Sequence, residues 1–489
     1  MKRTCFFILI ICSIAVNAQQ VNADYQSFRN SILEGYQEYR QDVLDNYSTY
    51  LAGIWQEFQL FNGEKRNKQP KPHAVPKVED TPEVKKPQSL PTPNVKPDSE
   101  PSKENQQPII VSPKAPSTPK KPIVATPKFD FTFYGVHLKG TVINTHSVSS
   151  MESTAIATVW EKYQQNEYQD VIQTLSAISI SYGLNDWFTF DLVRRYVDCL
   201  LKKGTSADRI VLQHFMLTHL GFDVRLARTN QQLILLVPCK QQVYERNFIV
   251  LDNEKLYVFT DNLSPQTERS RAIYTCQLPD NIDKGKQIDL TFNKYPLNLT
   301  NGEYKDCILT DGRIRIQVTI NKGMMEMLRH YPQMDVPHYA SSKISPRLHK
   351  SIIEQIRPQL AGMTQKDAAN ALLHFVQYAF AYSTDGEQHG YEKPYFIEEN
   401  FYYPQNDCED RSILFAFLIN NLLGLDTHLI QYPGHECTAV CFTDKSITGD
   451  SYFYKDKTYT ICDPTYIGAP VGMCMPAFIN SKPVIELWY

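Results

Sequence analysis

Asn406-Asp407-Cys408-Glu409-Asp410-Arg411-Ser412 opens an apolar run, 413–423, that stops at Gly424. Asn406 or Asp407 offers a side-chain acceptor to the first free backbone N–H groups, and Glu409 or Asp410 follows three residues on, the pattern of a capped helix start. Ile413, Leu414, Phe417, Leu418 and Leu422 keep helical spacing, and Gly424 supplies the stop. Cys408 thereby falls in the first turn, where unpaired N–H groups and the helix dipole favour a thiolate. The neighbouring acids act against this, so a reactive thiol here needs a base from elsewhere in the chain.

Working outward, β-rich runs follow at 427–432, 436–443, 452–454 and 458–462. Pro433-Gly434 marks a turn, and His435 stands at the mouth of the strand behind it. Asp463-Pro464 closes the last run, because proline cannot carry a ladder onward. Cysteine at a helix start, histidine opening one strand and aspartate ending another make the order nucleophile, base, orienter. The imidazole takes the thiol proton and returns it to a leaving amine; the carboxylate sets the tautomer and supports the imidazolium.

Residues 350–475 resemble the transglutaminase-like (papain-related) superfamily through Cys408, Gly434-His435 and Asp463-Pro464-Thr465 in that order. The resemblance implies an α+β fold with Cys408 as nucleophile, His435 as general base and acid, and Asp463 as the orienting acid. Glu436-Cys437 stands where the family often has an aromatic residue after the histidine. A zinc site is the rival, since Cys437, Cys441, Cys462, Cys474 and His435 could supply thiolates and imidazole. Cys437, Ala439 and Cys441 alternate along one strand into a core, so no metal and no cofactor is expected. His428, inside a strand, and His389, in a glycine-flanked loop, are the alternative bases.

The 489 residues, 42% of them hydrophobic, leave ample material for two or three domains once a long polar stretch is set aside. A net charge of −3 carries no footprint of nucleic-acid binding. Lys2-Arg3, an apolar run from Cys5 to Val16 and Val16-Asn17-Ala18 read as a secretory signal peptide at 1–18, and no later run reaches membrane length. The mature chain is expected to be secreted or periplasmic. Removal of Cys5 and Cys12 would leave nine cysteines, an odd number and hence at least one free thiol.

Within 19–61, Tyr25, Tyr36, Tyr47 and Phe58 recur every eleven residues, as do Ile32, Val43 and Ile54. That period predicts a nearly straight helix with one aromatic stripe. Unless the stripe packs on the globular part, residues 24–61 would serve docking or self-association. Residues 62–128 hold half of the 30 prolines and no Phe, Trp or Tyr, and read as a disordered spacer. Residues 129–265 resume globular composition. Ser206-Ala207-Asp208-Arg209-Ile210, an apolar run and Gly221-Phe222-Asp223 echo 408–412 and Gly424-Leu425-Asp426. This stretch reads as a degenerate copy of the later domain, with Ser206 in the cysteine's place.

Alternation through Ile288, Leu290, Phe292 and then Ile314, Ile316, Val318 and Ile320 predicts a small antiparallel β region at 266–345. The catalytic domain is expected at 346–489, with the aromatic-rich loop 383–407 walling a substrate groove. The expected function is cysteine-dependent acyl transfer that hydrolyses peptide or amide bonds of a protein or peptide substrate. Protein crosslinking by the same site is one alternative, and a non-catalytic binding or assembly module of the same fold is the other.

Overall fold

The computed structural model describes residues 40–66, 76–78, 87–95, 128–230, 232–260, 271–278, 284–296 and 303–486. The expected leader at 1–18, residues 19–39 of the repeat and most of 62–128 lie outside them. The chain is α+β.

Residues 40–45 are helical and helix α1 spans Tyr47–Ala52, but Gly53 turns fully extended (ψ −177°) and Gln56–Gln59 form strand β1. The continuous helix expected to residue 61 is therefore wrong beyond Ala52. β1 pairs antiparallel with Ala272–Thr275, whose hydrogen bonds outweigh a helical pattern that Gly53 has already interrupted. Part of the pattern packs inside the molecule: Tyr47 stacks on Trp160 at 4.7 Å, and Leu51 and Trp55 are buried, whereas Ile54 and Phe61 are exposed. Of residues 24–61, expected to serve docking or self-association, 24–39 lie outside the described residues. The spacer reading also fails for part of 62–128. Leu90 is buried in an apolar cluster, and strand β2 (Asn94–Val95) joins a sheet.

The first unit begins with the hairpin β3 (Lys128–Phe133) and β4 (Val136–Thr141). Helices α2 (Ser153–Gln164), α3 (Gln169–Tyr182), α4 (Asp186–Leu200) and α5 (Ser206–His219) follow. Then come β5 (Arg225–Arg228), β6 (Leu233–Pro238), β7 (Phe248–Leu251), β8 (Glu254–Val258) and β9 (Ala272–Thr275). The sheet order is β1-β9-β5-β6-β8-β7. Since β9 completes this sheet, the β region expected at 266–345 begins too early. It shrinks to one hairpin, β10 (Tyr304–Thr310) with β11 (Arg315–Asn321), while Ile288 makes only an isolated bridge to Cys239.

The second unit places helices α6 (Lys322–Arg329), α7 (Pro346–Ile356) and α8 (Gln365–Ala379) ahead of a short parallel pair, β12 (Ala381–Tyr382) and β13 (Gln405–Asn406). Helix α9 (Cys408–Leu423) leads into β14 (Asp426–Tyr432), β15 (His435–Cys441), β16 (Ser451–Tyr454), β17 (Lys457–Cys462) and β18 (Val484–Glu486). Their order, with β2 at the edge, is β16-β17-β15-β14-β18-β2. Each unit thus repeats one plan: a helix, four strands whose third lies outermost beyond the fourth, a later strand on the other side, and a strand from the N-terminal arm beyond it. The cores are not separate, because one apolar cluster runs from Tyr47 through Phe215 and Phe396 to Val471.

Candidate active site

The head of α9 is built as its sequence implies. Asp407 is the N-cap and closes a capping box with Asp410, while Gly424 (φ +66°) ends the helix left-handed. Asp410 does more than cap. Its Oδ2 accepts the Asp407 N–H at 3.3 Å, and its Oδ1 accepts the Tyr395 N–H at 2.7 Å. Arg411, 1% exposed, donates through Nε to Asn406 Oδ1 (2.9 Å) and through Nη2 to the Phe380 carbonyl (2.8 Å) at the end of α8. Burial outweighs the opposing charges of Tyr382, Asp407, Asp410 and Cys408 and lowers the Arg411 pKa to about 10.

Cys408 sits at the first position of α9, 2% exposed, and its thiol donates to Glu409 Oε2 at 3.3 Å. That acceptor keeps the proton on sulfur, the opposing influence expected from the neighbouring acids. Arg66 of the N-terminal arm lies close enough to feel the same carboxylate. Burial would lower its pKa, but Glu409, Tyr339, Glu392 and Glu486 outweigh burial and hold it above its ordinary value.

His435 and Asp463 come together as read from sequence. His435 Nε2 and Asp463 Oδ2 are 2.8 Å apart, and both residues are buried. The second oxygen of Asp463 accepts the N–H groups of Thr465 (2.9 Å) and Tyr466 (3.0 Å), which anchors the carboxylate. Gln377 locks the same turn by donating from Nε2 to the carbonyls of Asp463, Tyr466 and Ala469. With Nε2 engaged, Nδ1 remains. It is buried and makes no hydrogen bond among the described residues. The imidazole lies flat against Phe478, centroids 5.2 Å apart, and Phe478 also stacks on Tyr432.

The thiol and the imidazole share a level along α9. Ser412 donates to the Glu436 carbonyl at 3.2 Å, and Thr438 donates to the Ser412 carbonyl. Because β14 returns directly from Gly424-Leu425, β15 runs parallel to α9, so moving back from Ser412 to Cys408 moves toward His435. Four helical residues rise about 6 Å, roughly two strand residues. His435 Nδ1 makes no hydrogen bond to the thiol. Thr438 marks the strand face against α9, whereas His435 alternates onto the face of Cys437 and Tyr432. The structure brings His435 and Asp463 together, while the Cys408 thiol donates to Glu409, one of the neighbouring acids.

The zinc alternative does not assemble as a set. His435, Cys437 and Asp463 have ligand atoms within 4.8 Å of one another, but Cys462 belongs to the core on the opposite face from Cys437 and Cys474. Burial, followed by the charges of Asp463 and Cys474, raises the Cys437 thiol well above its ordinary pKa. No disulfide joins any of the nine described cysteines.

Among the alternative bases, His428 stacks on Tyr459 at 3.8 Å, and burial lowers its pKa to about 4. His389 Nε2 meets the Tyr395 hydroxyl at 2.7 Å. The loop 383–407 covers core more than it walls a groove, since Tyr395, Phe396 and Phe401 are buried and Tyr391 is exposed. Long-range partners such as Arg66 and Phe478 left no local signal in the sequence.

Scanned against protein-family models, curated proteins and solved structures, the chain matches none.

Proposed function

We propose that the second unit is a transglutaminase-like (papain-related) thiol domain that hydrolyses peptide or amide bonds, and that the first unit is its degenerate copy. The buried His435–Asp463 pair, with Nδ1 left over for a thiol, carries this reading. Nε2–H donates to Asp463, which leaves the Nδ1 lone pair to accept the Cys408 proton. The thiolate attacks the scissile carbonyl, the imidazolium protonates the leaving amine, and water drawn by the neutral imidazole then opens the thioester. For this the thiol must leave Glu409 and reach Nδ1. The leader pattern at 1–18 supports an extracytoplasmic setting for the reaction.

The comparison between the units supports the same assignment. Ser206 takes the place of Cys408, is exposed, and stands at the start of α5. A repeated helix start with serine at this position supports a role for Cys408 other than folding.

Alkylation of Cys408 followed by mass spectrometry across pH tests the reading, with the midpoint as readout because the thiol is buried. The midpoint should lie below the free-thiol value of about 8.5 and return to it in His435→Ala. Asp463→Asn should shift it less. Hydrolysis of peptide amides without incorporation of a labelled primary amine is expected; robust incorporation would establish crosslinking instead. A second reading, a non-catalytic binding module, is favoured by the thiol's present bond to Glu409. A midpoint at or above the free-thiol value, indifferent to His435→Ala, would establish that module and overturn the enzyme.

A further inference from the structure

The N-terminal arm lies against the turn that carries Asp463. Val78 N–H donates to the Ile467 carbonyl at 3.0 Å, and Ile467 N–H donates to the Pro76 carbonyl at 2.9 Å. Lys77 is thereby bridged in parallel to Ile467, four residues beyond Asp463. These are the hydrogen bonds of an added strand, formed by an extended segment on a main-chain edge. The Val78 side chain packs on Tyr466, Ala469 and Met475, and the same apolar cluster takes in Phe478, whose ring covers His435. A Cβ added at Gly468 (φ +84°) would lie 3.9 Å from Val78 Cβ, in van der Waals contact.

The edge is tied to the dyad through Asp463. Asp463 holds His435 with one oxygen and the Thr465 and Tyr466 amides with the other, so edge and imidazole share one anchor. Farther along, Ser451 N–H donates to the Gln88 carbonyl and Leu90 N–H to the Ser451 carbonyl, a second pairing of the arm with this unit. In this arrangement Cys408, His435 and Asp463 are all at most 4% exposed.

We propose that the Ile467 main chain with its floor of Tyr466, Ala469, Met475 and Phe478 is a substrate subsite for an extended peptide bearing an aliphatic side chain, and that Pro76–Val78 is its resident occupant. The proposal rests on the thiol-hydrolase reading and names its substrate class. The main chain of the substrate pairs with Ile467, and its aliphatic residue takes the place of Val78. Substrate must displace the arm, so the full chain is held in a restrained state.

The test uses the full chain carrying Val78→Asp, which sets a carboxylate in an apolar seat. Exchange of the Ile467 amide, read by NMR, reports release of the arm and should speed up by roughly tenfold or more. An acetylated peptide containing Pro-Lys-Val, added in excess, should restore protection at Ile467, and the same peptide with Pro-Lys-Asp should not. Peptide-amide hydrolysis by Val78→Asp should exceed that of the parent chain and prefer the valine peptide. Should Val78→Asp fail to fold, Val78→Ala leaves the main chain in place and should raise exchange by about fivefold. Unchanged protection at Ile467, or equal effects of the two peptides, overturns the subsite whatever Cys408 does. Selective re-protection with no hydrolysis by any variant leaves the subsite standing as a binding site and counts against the hydrolase.

Discussion

Asp208 and Asp410 hold the same post in the two units. Each is the third residue of its helix, and each closes a capping box with one oxygen. The other oxygen accepts a main-chain N–H from an upstream segment, Val148 for Asp208 and Tyr395 for Asp410, at 2.7 Å in both cases. The next residue repeats the match. Arg209 donates to the carbonyl of Leu201, the C-cap of α4, and Arg411 to that of Phe380, the C-cap of α8. An arginine at a helix C-terminus satisfies carbonyls that have no intrahelical partner. What both units keep at this point is framework; the thiol, the imidazole and its aspartate belong to the second unit.

That equivalence predicts unequal costs at equal positions. Arg411 is buried and also serves Asn406, so Arg411→Ala should destabilise by about 3 kcal/mol, while the partly exposed Arg209→Ala should cost about 1 kcal/mol. Urea unfolding of the two variants measures the difference, and a similar loss at both would refute it.

Helix α1 is part of the core. Leu51 is fully buried, so Leu51→Ala should cost about 2–5 kcal/mol. Thermal unfolding checks the loss. Sedimentation should show no change in oligomeric state, in contrast with a docking helix.

Burial raises the Glu398 pKa to about 7, against hydrogen bonds from Tyr295 and Ser345. The folded state then binds this proton more tightly than the unfolded chain does. Stability from this group is full below the unfolded value of about 4.3 and is lost as pH rises to about 7. Glu398→Gln should therefore raise Tm relative to the parent at pH 8 and not at pH 4. Buried His428 acts oppositely. Its lowered pKa means stability is lost as pH falls from about 6.5 toward 4, so only the difference between variant and parent isolates Glu398.

Gly449 and Gly472 bring two main chains together. A Cβ on Gly449 would lie 2.2 Å from Gly472 Cα, a clash with backbone that no side-chain movement relieves. Gly449→Ala should cost about 3 kcal/mol, at the upper end for overpacking. Exchange should quicken at the Gly472 amide, which donates to the Ile461 carbonyl. An unchanged urea midpoint would show that the two chains can part.

Caps, stops and alternation are local, and so they were legible in the chain. Asp407 with Asp410 starts α9, Gly424 ends it, and His435 and Asp463 flank strands that alternate in period two. The echo of 408–412 at 206–210 was legible too, because helix-start chemistry repeats where the frame repeats. Tertiary structure alone decided the fate of residues 56–59, whose helical spacing yielded to β9 once Gly53 had broken the run. It also seated Pro76–Val78 beside Ile467, although a proline-rich composition reads as an unattached spacer. Lastly, it set His435 Nε2 on Asp463, 28 residues away in sequence, and left Nδ1 without a hydrogen bond among the described residues, whereas the Cys408–Glu409 bond joins neighbours whose influence the sequence already implied. A hydrogen bond between residues far apart in sequence is set by the meeting of distant segments, and no local pattern encodes which acceptor arrives first.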